Sequence, residues 1–210
     1  SYQENVVLKL FTDEGEVGLG EAPHMVGFSG AGETQQSVAS VLKEFLLPQV
    51  LGHPPLNIAA FEQRLMRFPQ NPRAKGAINM ALYDLAGKLL GTPVYNLLGG
   101  KCRDGLLLSW SIPIMAFDEC AEEARQRVAQ GWRVLKVKVG RPDVADDVRA
   151  VKTVREAVGP EVRLRVDANQ AYDVKTAIRF INAIEGHDIE FMEQPVSRHD
   201  LEGLARVSER

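Results

Sequence analysis

Val134-Leu135-Lys136-Val137-Lys138-Val139, Arg163-Leu164-Arg165-Val166-Asp167-Ala168-Asn169 and Ile189-Glu190-Phe191-Met192-Glu193 are three short β-type runs separated by long amphipathic stretches. Their alternation with helical periodicity decides the fold. Working outward, strands are expected over residues 106–112, 134–139, 162–169 and 189–193, and helices over 118–130, 143–158 and 174–185. Gly131, Gly159-Pro160 and Gly186 stop these helices, Asp173 is an N-cap, and Asp200 opens a further helix. Four βα units at a repeat of roughly 25–30 residues predict a parallel sheet with helices outside it. A doubly wound nucleotide-binding sheet would carry a glycine-rich turn after its first strand, whereas Pro113-Ile114-Met115-Ala116-Phe117 has no glycine. An α/β class follows, with residues 101–210 as the first four units of a (β/α)8 TIM-type barrel. Four units are half a barrel and leave two unpaired edges, so the other half lies beyond Arg210, in another chain, or nowhere.

Residues 1–100 follow a different pattern. Residues 6–11 and 17–21 flank the turn-rich Thr12-Asp13-Glu14-Gly15-Glu16, a hairpin signal. Val38, Val41, Leu42 and Phe45 recur at helical spacing, and a second helix is expected over about residues 74–90. Gly91 stands at the left-handed cap position, with Pro93 beyond. This half reads as a separate α+β domain.

Length and composition narrow the function classes. The chain has 210 residues, a prior of one to two domains with room for a core, and 45% hydrophobic and 25% charged residues exclude disorder. A net charge of −3 gives no nucleic-acid footprint, and no apolar run reaches a membrane span. Two cysteines, Cys102 and Cys120, make neither a disulfide framework nor a metal knuckle, so a cytoplasmic location is expected. The chain opens on Ser1 and stops at Arg210 inside an expected helix; both ends read as cut.

The chemistry follows from strand parity, because residues i and i+2 share a face. Leu135, Val137 and Val139 form an apolar face, and Lys136 and Lys138 share the other. Arg163, Arg165, Asp167 and Asn169 likewise oppose Leu164, Val166 and Ala168, and parity groups Ile189, Phe191 and Glu193. Lys138, Asp167 and Glu193 then sit at the C-terminal ends of three consecutive strands, the active-site face of a barrel. Two carboxylates there repel unless a cation lies between them, and a hard divalent ion such as Mg²⁺ suits oxygen donors. Two neighbouring ammonium groups lower each other's pKa, which readies one as a base. The bland alternative is a structural ion-pair network.

The segments Leu135-Lys136-Val137-Lys138-Val139-Gly140, Val166-Asp167-Ala168-Asn169-Gln170 and Met192-Glu193-Gln194-Pro195-Val196 resemble the enolase superfamily. The resemblance is to its mandelate racemase/muconate lactonizing enzyme group. Residues 77–88 and Leu97-Leu98-Gly99-Gly100 match too, so the resemblance spans essentially the whole chain. It implies that Asp167 and Glu193 bind Mg²⁺ or Mn²⁺, with a third carboxylate from a fifth strand outside the chain. It makes Lys138 the base, places Lys136 beside it against the substrate carboxylate, and lines the same pocket with Asn169. Residues 1–100 become an α+β capping domain lacking its first strand. The loop over residues 22–33 becomes the specificity loop, with His24, Met25 and Phe28 as contact surface. The implied activity is abstraction of the α-proton of a small carboxylate through an enolate, as in cycloisomerases, racemases or epimerases, and a homo-oligomer is expected. Gln194-Pro195 after Glu193 resembles the muconate lactonizing subgroup. The alternatives are an acid-sugar dehydratase and, from another class, an inactive metal-binding fragment.

Overall fold

A computed structural model describes residues 4–23 and 32–209, which fall into two compact units, Ser1–Asp104 and Gly105–Arg210. No helix among the described residues is long and apolar enough to cross a membrane.

In the first unit, strands β1 (Val6–Phe11) and β2 (Val17–Ala22) pair antiparallel. The turn closes with Thr12 N–H donating to the Glu16 carbonyl at 2.9 Å, and Gly15 takes the left-handed φ of 94°. Helix α1 (Gln35–Val41) starts where Thr34 Oγ1 accepts from Ser37 N–H, then loosens into a π turn over Leu42–Leu46 and a 3-10 turn over Leu47–Gln49. The single helix expected there is thus shorter, because Pro48 cannot continue an α-helix. Helix α2 (Ile58–Leu65) has no counterpart in the sequence reading; it buries only Phe61 and Leu65, too few positions to reveal a period. Helix α3 (Pro72–Leu89) buries Ala77, Ile78, Ala81, Leu82 and Leu85, ends before Gly91 at φ 61°, and is followed by the short α4 (Val94–Leu97). Strand β2 lies directly against it. A Cβ at Gly18 would stand 2.2 Å from the Ala81 carbonyl oxygen and one at Gly20 only 1.9 Å from that of Ala77, so only glycine fits.

The second unit is a four-stranded parallel sheet of β3 (Ser109–Ile112), β4 (Val134–Lys138), β5 (Arg163–Asp167) and β6 (Ile189–Glu193), ordered as in the chain. Helices α5 (Phe117–Ala129), α6 (Val144–Val158) and α7 (Val174–Ile184) connect them, and α8 (Leu201–Ser208) follows. Asp143, Asp173 and Asp200 each cap a helix by accepting a backbone N–H of its first turn. The core lies between one sheet face, with Leu135, Val137, Leu164 and Val166, and the helices, with Cys120, Ala124, Val151, Val154, Ala177 and Phe180.

Two expectations change here. The first strand is four residues rather than seven: the ladder partner begins at Val134, so Leu106, Leu107 and Leu108 have no strand beside them and stand 73%, 66% and 70% exposed. Strand β6 does not keep strict parity either. Leu164 faces Ile189 but Val166 faces Met192, so β6 carries one extra residue. Ile189 and Met192 therefore both pack against the core, while Glu190 turns to Arg163 and Arg165 and Phe191 lies beside Arg165.

Candidate active site

The ladder sets the geometry. Lys138 is the register partner of Asp167, and Asp167 is that of Glu193, so three chemistry-bearing residues end three neighbouring strands. Glu193 reaches this row because the bulge shifts it onto the level of Asp167.

Each lysine finds its own acceptors. Lys138 Nζ donates to Asp167 Oδ2 at 2.5 Å and to Asn169 Oδ1 at 2.6 Å. Lys136 Nζ, one step deeper on the same face, donates to Glu193 Oε2 at 3.0 Å and lies 3.4 Å from Asp167 Oδ2. Asn169 adopts φ 45°, a left-handed conformation that asparagine tolerates better than most residues, and its N–H donates to Asp167 Oδ1 at 2.9 Å. Both Asp167 oxygens thus accept hydrogen bonds, and 1% of its side chain is exposed, whereas Glu193 keeps 44% of its side chain open. The structure brings Lys136, Lys138, Asp167, Glu193 and Asn169 together; His24 and Phe28 lie outside the described residues.

The electrostatics correct one expectation. The two lysines were expected to depress each other's pKa. Burial does push the Lys136 ammonium down, but its hydrogen bond to Glu193 and the charges of Glu193 and Asp167 outweigh this and hold it above its ordinary value. Asp167 mirrors it: burial raises the carboxyl, yet the Lys138 bond, the Asn169 N–H and both lysine charges bring it below its ordinary value. Opposite charge at contact distance outweighs like charge further off.

The donor set fits a hard divalent ion. Asp167 Oδ2 and Glu193 Oε2 both lie within 3.4 Å of one point, the Lys136 nitrogen, which matches their charge in this arrangement. Two carboxylates suit Mg²⁺, which keeps several waters and substrate oxygens as its other ligands. Among the described residues no group of three or more His, Cys, Asp or Glu is placed to hold a metal.

Residues 1–99 match the mandelate racemase/muconate lactonizing enzyme N-terminal domain, and residues 119–210 match the enolase C-terminal domain-like family. The chain belongs to the mandelate racemase/muconate lactonizing enzyme group of the enolase superfamily. This member of the group is similar to the L-Ala-D/L-Glu epimerase of Bacillus subtilis (strain 168), 36% identical over 98% of this chain and 56% of the relative. A substrate-liganded structure of that epimerase superposes with a TM-score of 0.93, covering 98% of this chain and 57% of the other. The chloromuconate cycloisomerase of Cupriavidus pinatubonensis is 32% identical over 98% of this chain and 56% of its own length. The dipeptide epimerase of Enterococcus faecalis V583, complexed with Mg and L-Leu-L-Tyr, superposes with a TM-score of 0.91 at 35% identity, covering 98% of this chain and 57% of that one. The chain spans about half the length of the curated relatives it matches.

Sequence reading passed over Asp147 and Tyr172, which lie just behind this row. The signal was present. Residues 144, 147, 150, 151 and 154 form the buried stripe of α6, and an aspartate occupies one of its five positions.

Proposed function

We propose that the protein carrying this chain removes the proton from the carbon next to a substrate carboxylate, in a 1,1-proton transfer or a cycloisomerisation. Residues 1–100 are the capping domain in this reading, and 101–210 supply the first four units of a (β/α)8 barrel. The sheet order, which follows the chain without reversal, supports the barrel. The reading is carried by one observation: Lys138, Asp167 and Glu193 end consecutive strands in register, Lys138 bound to Asp167 and Lys136 reaching both Asp167 and Glu193.

Lys138 is the base. Once it has given up a proton, its amine takes that of the substrate as the C–H bond breaks, and the electron pair moves onto the substrate carboxylate. Asn169 accepts from Lys138 and so orients its nitrogen. Lys136 remains an ammonium, sustained by its two carboxylates, and binds the substrate carboxylate. Asp167 and Glu193 would hold a divalent cation, which when bound supplies Lewis acidity toward that carboxylate. In a 1,1-proton transfer the proton returns on the opposite face from a second base contributed from outside this chain. The relatives divide between epimerases and cycloisomerases, and proton abstraction is the step common to both.

The test is α-proton exchange in D₂O with Mg²⁺, followed by NMR on dipeptides of both configurations at the exchanging carbon, using the full-length protein. Lys138→Ala should lose exchange from one epimer while Mg²⁺ affinity is kept, and Asp167→Asn should first weaken Mg²⁺ binding in calorimetry. Full activity in both variants would overturn the assignment.

A further inference from the structure

Asp147 is the least conspicuous charged residue in the molecule. It sits in the first turn of α6, wholly buried, on a stripe otherwise made of valines and one alanine. Burying a carboxylate costs several kcal/mol unless every oxygen is matched. Here four donors converge on it. Oδ2 accepts from Gly140 N–H and Arg141 N–H, each at 2.9 Å, and from the Tyr172 hydroxyl at 2.6 Å, while Oδ1 accepts from Arg141 Nη1 at 3.0 Å.

The origin of those donors gives the network its meaning. Gly140 and Arg141 begin the turn that follows Lys138. Tyr172 closes the turn that follows Asp167 and Asn169, and its own N–H donates to the Pro195 carbonyl at 3.1 Å, two residues past Glu193. Arg141 Nη2 reaches the Met115 carbonyl, after β3, at 2.8 Å. The carboxylate therefore binds the turns after β4 and β5 directly, and its partners Arg141 and Tyr172 extend the network to those after β3 and β6. Gly140 tightens the tie: at φ 118° its position leaves no room for a side chain, since a Cβ would stand 2.7 Å from that of Ala171. Burial, then the hydrogen bond to Asp147 and its charge, hold the Tyr172 phenol far above its ordinary value, so it stays a donor throughout the working pH range.

We propose that Asp147 is a positioning residue for proton transfer, setting the height and direction of Lys138 against Asp167 and Asn169 through Gly140, Arg141 and Tyr172. The proposal rests on Lys138 being the base. Misplacing a reacting group by about 1 Å costs on the order of 100-fold in rate. A network that holds the turn two residues beyond that group is placed to control such a shift.

Tyr172→Phe removes one bond while keeping the ring, and Asp147→Asn keeps the side chain's size and removes its charge. In the full-length protein both should slow α-proton exchange from the epimer facing Lys138 by about tenfold or more, Asp147→Asn the more strongly. Exchange from the other epimer and the Mg²⁺ dissociation constant should stay within about twofold. A merely structural role would lower both faces together, and that result, or an unchanged Lys138 face, would overturn the proposal. Wild-type protein that exchanges neither epimer would refute the functional reading instead. The positioning role then still stands or falls on the ¹³Cε resonance of Lys138, which Tyr172→Phe should move while that of Lys136 stays in place; an unmoved Lys138 signal overturns it. That measurement also serves if Asp147→Asn does not fold.

Discussion

The face of the parallel sheet opposite the helices carries two ion clusters, one on β5 and β6 and the other spanning β4, β5 and β6, and they use different cations. Near the strand starts, Glu190 is bound by Arg163 and by Arg165, the latter at 2.7 Å, with the Arg165 guanidinium 5.0 Å from the centre of the Phe191 ring. At the strand ends the cations are Lys136 and Lys138. Arginine is always charged and offers a planar fork, so the lower cluster is a fixed brace. Lysine can give up its proton, so only the upper cluster can exchange one with a substrate. The difference shows that charge alone does not mark a site; the capacity to change charge does.

The strongest way to break this comparison is Lys138→Arg. It keeps a cation opposite Asp167, so fold and melting temperature should hold, yet α-proton exchange on that face should fall roughly 10²–10⁴-fold, the usual worth of a general base. Retained exchange would show that the ammonium acts by charge alone. A smaller effect is expected from Glu190→Gln. The Glu190 carboxyl is held below its ordinary 4.5: burial raises it, and the bonds from Arg165 and Arg163 more than offset that. Its contribution is therefore complete above pH 4.5 and lost as pH falls through the lower folded value. Urea melts should show Glu190→Gln less stable by at most about 1 kcal/mol at pH 7, since the pair is partly solvated, and equal to wild type once Glu190 is protonated. A gap that persisted in acid would mean that packing, not charge, is lost. The smallest effect is expected for Arg165→Lys, which should leave exchange within about twofold and cost under about 1 kcal/mol. A large loss of exchange there would join the two clusters into one functional unit.

Much of this architecture is legible in the chain. The alternation in 134–139 and 163–169 sorts valines and leucines from lysines, arginines and aspartate; the structure buries the first set and leaves the lysines and arginines open in part or in full, while Asp167 is buried among its partners. The helix starts at Asp143, Asp173 and Asp200 are equally plain, because a capping aspartate acts on its own next turn. Helix α2 escaped because its buried positions are sparse, and the run Leu106-Leu107-Leu108 misled because an apolar run needs a partner strand to become one. The sequence pattern also sets Asp147 apart, by its place among Val144, Ala150, Val151 and Val154, but not the partners that meet it there.

Face, period and cap are local properties of the backbone, set by residues within a turn or a pleat, and the sequence by itself determined them: four βα units with Lys136, Lys138 and Asp167 on one side. Which carboxylate each lysine meets, the extra residue in β6 that brings Glu193 level with Asp167, and the network of turns around Asp147 were decided only by the tertiary structure. They depend on register between strands some thirty residues apart, and register is settled by packing the shared core rather than by any one segment.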